Sequence, residues 1–406
     1  MTAGVPGFGA DVPRLPPPVS RRGAVGWLRH HLFRTWKDTL LTLVLGVVLG
    51  WLLYQLALWA FTSARWGVIT DNLRLFLIGL YPAHEAWRIW LCMTSLSLLA
   101  GATAGSRGGY ARTIAIWLMA GQLTVAVLAV LSPMGVVAVV AIVANAVLVL
   151  IAQLAAGRHP VPSRWLTAAW LASVPFTMVL LHGIAAVGMP VVDPDLWGGL
   201  LLTFLLASIS MVLSFPVGVL LALGRRSRLP AIRLLCTTFI EVVRGVPLVT
   251  LIFLADIMLP LFLPDGVDLD RVVRAIGAFT LFTAAYLAEN VRGGLQAIPR
   301  GQIEAAQAIG LSGVQVDRFI VLPQALRAVI PANVGLFISL LKDTTLVVIV
   351  GLLEVLGIGR AVLAQPEWLG TSFEVYAFVA IVFFGLSYTM SHASYRLEAV
   401  LGVGRR

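Results

Sequence analysis

Uninterrupted apolar stretches dominate the pattern along this chain. No charged residue breaks 39–64, 89–106, 165–192, 196–224 or 375–395. Each stretch reaches or exceeds the roughly 18 residues that mark a candidate membrane-spanning helix. The stretch 113–157 is also uncharged, and Ser132-Pro133-Met134-Gly135 divides it into two helices. Three further stretches hold isolated ionisable groups: 247–264 with Asp256, 275–291 with Glu289, and 332–352 with Lys342 and Asp343. The pattern predicts ten spanning helices. The fold class is therefore an all-α integral membrane protein, because a backbone in lipid must satisfy its own hydrogen bonds.

Composition agrees with this reading. Only 12% of the 406 residues are charged, about half the roughly 25% of a soluble domain, so lipid must cover much of the surface. The net charge of +10 is spread over short loops, not gathered in the single stripe that nucleic acid would require. With the N-terminus inside and ten alternating helices, 22 of the 29 Lys and Arg fall on the inner side and six on the outer. Basic residues favour the cytoplasmic side, so both termini are expected there. Residues 1–38 are read as a cytoplasmic tail without a sustained apolar face. The first apolar run far exceeds the roughly 7–15 residues of a cleaved leader's core, so it is read as an anchor. Cys92 and Cys236 fall toward opposite sides and are read as unbridged packing residues.

The two halves differ. The extension 39–192 holds almost nothing ionisable within its spans. Its Gly46-xxx-Gly50 and Gly101-xxx-Gly105 spacings suit close helix packing. His182, with no second His or Cys nearby in sequence, reads as a packing residue, and this half reads as scaffold with short outer loops. The core 197–397 holds every intramembrane charge, and such charges face a bundle interior or a water-filled path. A short cytoplasmic tail, 398–406, follows.

Within the core, the polar loop 297–327 is too long for a simple turn. Pro299 suits a helix start, Gly310 a helix end, and Ser312 with Gln315 has capping-box spacing for a second helix. Ile303, Ala306, Ile309 and Gly310 share one modestly apolar face, suited to a shallow groove on another protein. Leu322-Pro323 is expected to stop the second helix.

These residues match a known signature. Glu304-Ala305-Ala306, then Gly310, then Ile320-x-Leu322-Pro323 resembles, without a gap, the EAA signature of ATP-binding-cassette (ABC) importer permeases. The resemblance implies that Glu304, Ala305, Ala306 and Gly310 form a coupling helix that docks on a cytosolic ATPase. Glu241-Val-Val-Arg244-Gly245-Val246-Pro247, Ala288-Glu289-x-x-Arg292-Gly293-Gly294 and Leu341-Lys342-Asp343-Thr344 are similar to motifs of the polar amino-acid permeases. Arg244, Gly245 and Pro247 are read as a structural motif. The five additional N-terminal helices, and the stretch Phe76-Leu-Ile-Gly-Leu-Tyr-Pro82, resemble the larger permease subunit of general L-amino-acid importers of the Aap/Bzt type.

No GxxxxGK[ST] phosphate loop occurs in the sequence. The chain is thus expected to be no enzyme and to hold no cofactor or metal, with ATP and magnesium on the partner. The resemblance implies two ATPase subunits, a second permease subunit and a periplasmic amino-acid-binding protein. A zwitterionic substrate needs an acceptor for its ammonium and donors for its carboxylate. Asp256, Glu289, Lys342, Asp343 and Glu354 are the candidates along its path. Asp256 lies outside the shared motifs and has no nearby sequence partner, so it is the preferred specificity residue. An ion-coupled secondary transporter is the rival, since five-plus-five helices would suit an inverted repeat. Against it, Pro216 of the sixth helix has no counterpart in the first, and the intramembrane charges sit in one half.

Overall fold

The structure, a computed structural model, describes residues 23–264, 266–267 and 269–402. The expectation for residues 1–22 and 403–406 lies outside the described residues. Contacts divide the chain into two units, Met1–Ala64 and Arg65–Arg406.

In the first unit, α1 (Ala24–Leu32) precedes α2 (Trp36–Leu58), which a π-turn prolongs over Trp59–Ser63. Part of the expected tail is therefore helical. Thr35 caps α2 reciprocally with Asp38. Its Oγ1 accepts from the Asp38 N–H at 3.2 Å, and its own N–H donates to Asp38 Oδ2 at 3.1 Å. No residue of α2 is buried, as suits an apolar helix bathed in lipid.

The second unit opens with two short helices, α3 (Gly67–Thr70) and α4 (Leu73–Ile78). Four long ones follow: α5 (Trp87–Arg107), α6 (Gly109–Val130), α7 (Gly135–Arg158) and α8 (Ser163–His182). Gly101 and Gly105 let the α5 backbone approach α7. A Cβ at Gly101 would stand 2.8 Å from Ala152 Cβ, and one at Gly105 would stand 2.8 Å from the Gly157 nitrogen.

The C-terminal half contains α9 (Gly199–Arg225), α10 (Pro230–Gly245), α11 (Leu248–Phe253), α12 (Leu259–Phe262) and α13 (Arg271–Gln296). It continues through α14 (Arg300–Ala308), α15 (Gly313–Val316), α16 (Leu322–Asp343), α17 (Val355–Leu363) and α18 (Ser372–Leu401). Gly218 on α9 lies against α13, where a Cβ would meet the Ala284 carbonyl at 2.8 Å. Gly294 does the same for α13 on α16, and Asn290 Nδ2 donates to Asn333 Oδ1 across that seam at 3.0 Å. Among the described residues, nine helices are long and apolar enough to span a membrane, or ten if one bent pair is a single span.

Three expectations change. First, the seventh span is not a straight 247–264. The amphipathic α10 and the segment Leu248–Phe262 meet at 107°. Pro247 disfavours helical backbone at Val246, which is extended at φ −105°, ψ 135°. Second, Leu322-Pro323 does not stop a helix. A π-turn over Asp317–Val321 joins α15 to α16, just ahead of Pro323. The proline's missing N–H and its ring open the hydrogen-bond ladder without ending it. Another π-turn, Leu254–Met258, precedes Pro260 in the same way.

Third, residues 65–85, within one of the expected short outer loops, hold two short helices packed into the unit. Val68, Ile69 and Phe76 of α3 and α4 form a buried cluster with Val355, Ile358, Val362, Val375 and Val379. The Arg65 N–H donates to Glu374 Oε1 at 2.9 Å, and its guanidinium donates to the Glu367 carbonyl at 2.9 Å. Gly79 bridges to Trp197. Tyr81 donates its hydroxyl to the Leu181 carbonyl at 3.0 Å. The fully buried Arg88 pairs with Glu85 at 2.8 Å and donates to the Pro190 carbonyl at 2.8 Å. The last two contacts brace the N-terminal half internally, whereas the α3–α4 cluster, Arg65 and Gly79 stitch it into the C-terminal half at this end of the unit.

Candidate functional site

At the opposite end, α14 is a two-turn helix with a complete Schellman ending. The Leu311 N–H donates to the Ala306 carbonyl at 3.2 Å and the Gly310 N–H to Gln307 at 2.9 Å, with Gly310 at φ +88°. The Ser312 N–H donates to Gln315 Oε1 at 2.8 Å, which starts α15. Anchorage comes from one side of the segment. Ala306 is buried with Val316, Val321, Ala325 and Val329, and Ile303, Ile320 and Leu322 pack against that cluster. The expected docking face therefore divides. Ala306 and Ile303 face the chain's own core, whereas Glu304, Ala305, Ile309 and Gly310 are exposed, with Ile309 78% so. Pro323 is exposed as well.

Beside this segment the ends of α9, α10 and α13 share one ionic node. Glu289 stands 3.4 Å from Arg225 and 3.7 Å from Arg244, and it also pairs with Arg292 one turn along α13. Arg225 reaches Glu241 at 2.9 Å, and Arg244 lies over the Tyr286 ring. Glu289, a candidate for the substrate path, is thus engaged by three guanidinium groups that fasten three helices. Arg244 ends α10 in this node, Gly245 closes the helix, and Pro247 sets the bend.

The other candidates are dispersed. Asp256 does not lack a cation: its Oδ1 is 3.3 Å from Arg274, which also donates to the Asp256 carbonyl. The pairing joins the Leu254–Met258 π-turn to the first turn of α13, across 18 residues of sequence. Glu354 is fully buried and caps α17, accepting from the Leu356 and Gly357 N–H groups at 2.9 and 2.8 Å. Burial raises its carboxyl pKa above the usual range, and the two amide donors pull it back. In this arrangement both carboxylate oxygens are engaged as a helix cap. Lys342 is exposed and the adjacent Asp343 half-buried, with no ion pair between them. Arg225, Glu241 and Arg274 are the partners that sequence reasoning missed. Only Glu241 carried a signal, as part of the segment ending in Arg244-Gly245.

Residues 214–397 match the family described as the binding-protein-dependent transport system inner membrane component. The glutamate/glutamine/aspartate/asparagine transport system permease protein BztC of Rhodobacter capsulatus is 36% identical over 425 residues, covering 95% of each chain. The chain belongs to the amino-acid ABC transporter permeases. A second relative is the inner membrane amino-acid ABC transporter permease protein YhdY of Escherichia coli. It is 34% identical, over 96% of this chain and 97% of its own. A solved chain from a crystal structure of an amino acid ABC transporter with histidines shares 28% identity over 50% of this chain and 92% of that one, at a TM-score of 0.45. As an ABC permease the chain is the transport subunit of an importer, and ATP hydrolysis belongs to a separate subunit. It is a multi-pass protein of the inner membrane. The ion-coupled alternative finds no support among these relatives.

Proposed function

We propose that the exposed side of α14, with Glu304, Ala305 and Gly310, is the surface through which a cytosolic ATPase drives this permease. The observation that carries this reading is the division of α14. One side is locked into the core by Ala306 and Ile303, and the other stands free of it. A push on the free side is therefore passed to α13 and α16 through close-packed side chains, which have little room to absorb it. The neighbouring node at Glu289 ties α9 and α10 to the same end. On this reading that end is cytoplasmic, in keeping with the basic loops, and the Gly79 end faces the periplasm.

ATP binding would draw two docked segments together and open the path outward. Hydrolysis would then let a polar L-amino acid, delivered by a periplasmic binding protein, pass inward. BztC, with its acidic and amide amino acids, supports a substrate of that kind. A second, non-identical permease subunit completes the path, with the core 197–397 as the transporting part and 39–192 as an extension. Lys342 and Asp343 are retained as candidates beside that path.

The test is substitution of the exposed positions. Glu304→Lys and Gly310→Asp should each abolish uptake in reconstituted vesicles and release the ATPase on co-purification, while the membrane subunits stay assembled. Wild-type uptake in both variants would refute the reading.

A further inference from the structure

A cleft of about 240 Å³ opens at the Gly79 end, lined by Asp71, Arg74, Leu75, Pro133 and Met134. It lies between the α3–α4 segment and the α6–α7 turn, away from the α14 surface and the Glu289 node. Its charge pattern is unusual. Asp71 and Arg74 are three residues apart, a spacing that pairs readily on one continuous helix. Here the helix is interrupted: Asp71 caps the end of α3 and Asn72 starts α4. No ion pair joins the two, and neither has an ion-pair partner among the described residues. Arg74 donates to the Tyr81 carbonyl at 2.6 Å, which fixes the guanidinium and leaves further donors. Asp71 is exposed, and its Oδ1 accepts a long 3.4 Å bond from Thr70. Met134 in turn packs against a buried apolar cluster of Leu73, Ala126, Ala129 and Ile142.

An unpaired carboxylate and an unpaired guanidinium at one small opening, faced by Pro133 and Met134, present the complement of a zwitterion. An ammonium would sit on Asp71. An anionic group would take the planar donors of Arg74, which suit carboxylate and phosphate alike. The volume falls below the roughly 300 Å³ of the smallest drug-sized sites, so the group seated inside the cleft is a small one. We propose that this cleft binds a small zwitterion carrying a primary ammonium and an anionic group. A free α-amino acid and the headgroup of an aminophospholipid share that chemistry. The proposal is independent of the coupling reading, because it concerns a different end of the molecule and is read by binding, not by transport.

The experiment uses the whole importer in phosphatidylcholine nanodiscs without its binding protein. One arm measures saturation binding of radiolabelled L-glutamine, and the other measures retention of added phosphatidylethanolamine. One of the two should bind saturably, and Asp71→Asn and Arg74→Gln should each weaken that binding at least tenfold. Met134→Trp, which fills the cleft, should remove it. Loss in the glutamine arm names the amino acid, and loss in the lipid arm names the headgroup. Asp71 is exposed at a helix end, so Asp71→Asn remains decisive if Arg74→Gln does not fold. A wild type that binds neither probe, or saturable binding that Asp71→Asn leaves unchanged in every arm that binds, overturns the proposal.

Discussion

Gly79 offers a sharp test of how tightly the two halves of the second unit are joined. Its backbone sits at φ 64°, ψ −138°, and Gly108 sits at φ 60°, ψ −150°. Both conformations are nearly closed to residues with a Cβ, so alanine at either site should cost about 1–3 kcal/mol in strain. Their surroundings differ. A Cβ at Gly108 meets nothing within 4 Å, whereas one at Gly79 would lie 2.6 Å from the Gly198 nitrogen and 2.9 Å from its carbonyl carbon. Those atoms are backbone and cannot rotate aside. Gly198 is itself backed by the Leu353 carbonyl, which a Cβ there would meet at 2.9 Å. Gly79→Ala should therefore add overpacking of about 1–3 kcal/mol to the strain. For a unit of the size of Arg65–Arg406, the specific unfolding entropy converts that excess to about 1–4 °C. Tryptophan-fluorescence melting of both variants in one detergent reads the difference directly. Equal shifts in Gly79→Ala and Gly108→Ala would refute the close approach.

Glu289→Gln should lower stability by up to about 3 kcal/mol, summing three partly exposed pairs of up to about 1 kcal/mol each. The loss should shrink in high salt, and melting curves at two ionic strengths would show whether it does. For Asp256 and Arg274, a double-mutant cycle with Asp256→Asn and Arg274→Gln should give a coupling of about 0.5–3 kcal/mol, and uptake should fall together in both single variants. Strictly additive effects would separate the two residues and return Asp256 to substrate recognition. Glu354→Ala should cost about 1–2 kcal/mol through loss of the α17 cap. The shift is measured by melting, and wild-type stability would contradict the capping role.

The spans were legible because a helix in lipid tolerates few charges, so gaps between charged residues trace its length. The helix ends around Gly310 and Ser312 were legible because caps are local chemistry within four residues. Other features were hidden for physical reasons. The amphipathic α10 carries Arg233, Glu241 and Arg244, so it fails a test for apolar runs although it forms one arm of the bent pair. Pro323 reads as a stop, and only a π-turn upstream lets the helix pass through it. The partner of Asp256 lies beyond the intervening loop, where spacing carries no information. The roles of α3 and α4 were the least visible. Each is shorter than two turns, and their apolar residues gain meaning only from α17 and α18, nearly 300 residues downstream.

The buried contact of α3 and α4 with α17 and α18 bears on whether this permease can be taken apart. The family match begins at residue 214, which invites cutting the chain near 197 to obtain a minimal transporter. Such a fragment would strip the cover of Val68, Ile69 and Phe76 from the α17–α18 cluster, and would leave Glu374 without the Arg65 amide. The extension is therefore not a detachable ornament. Any graft between long and short permeases would have to redesign the surface of α17 and α18 along with the junction.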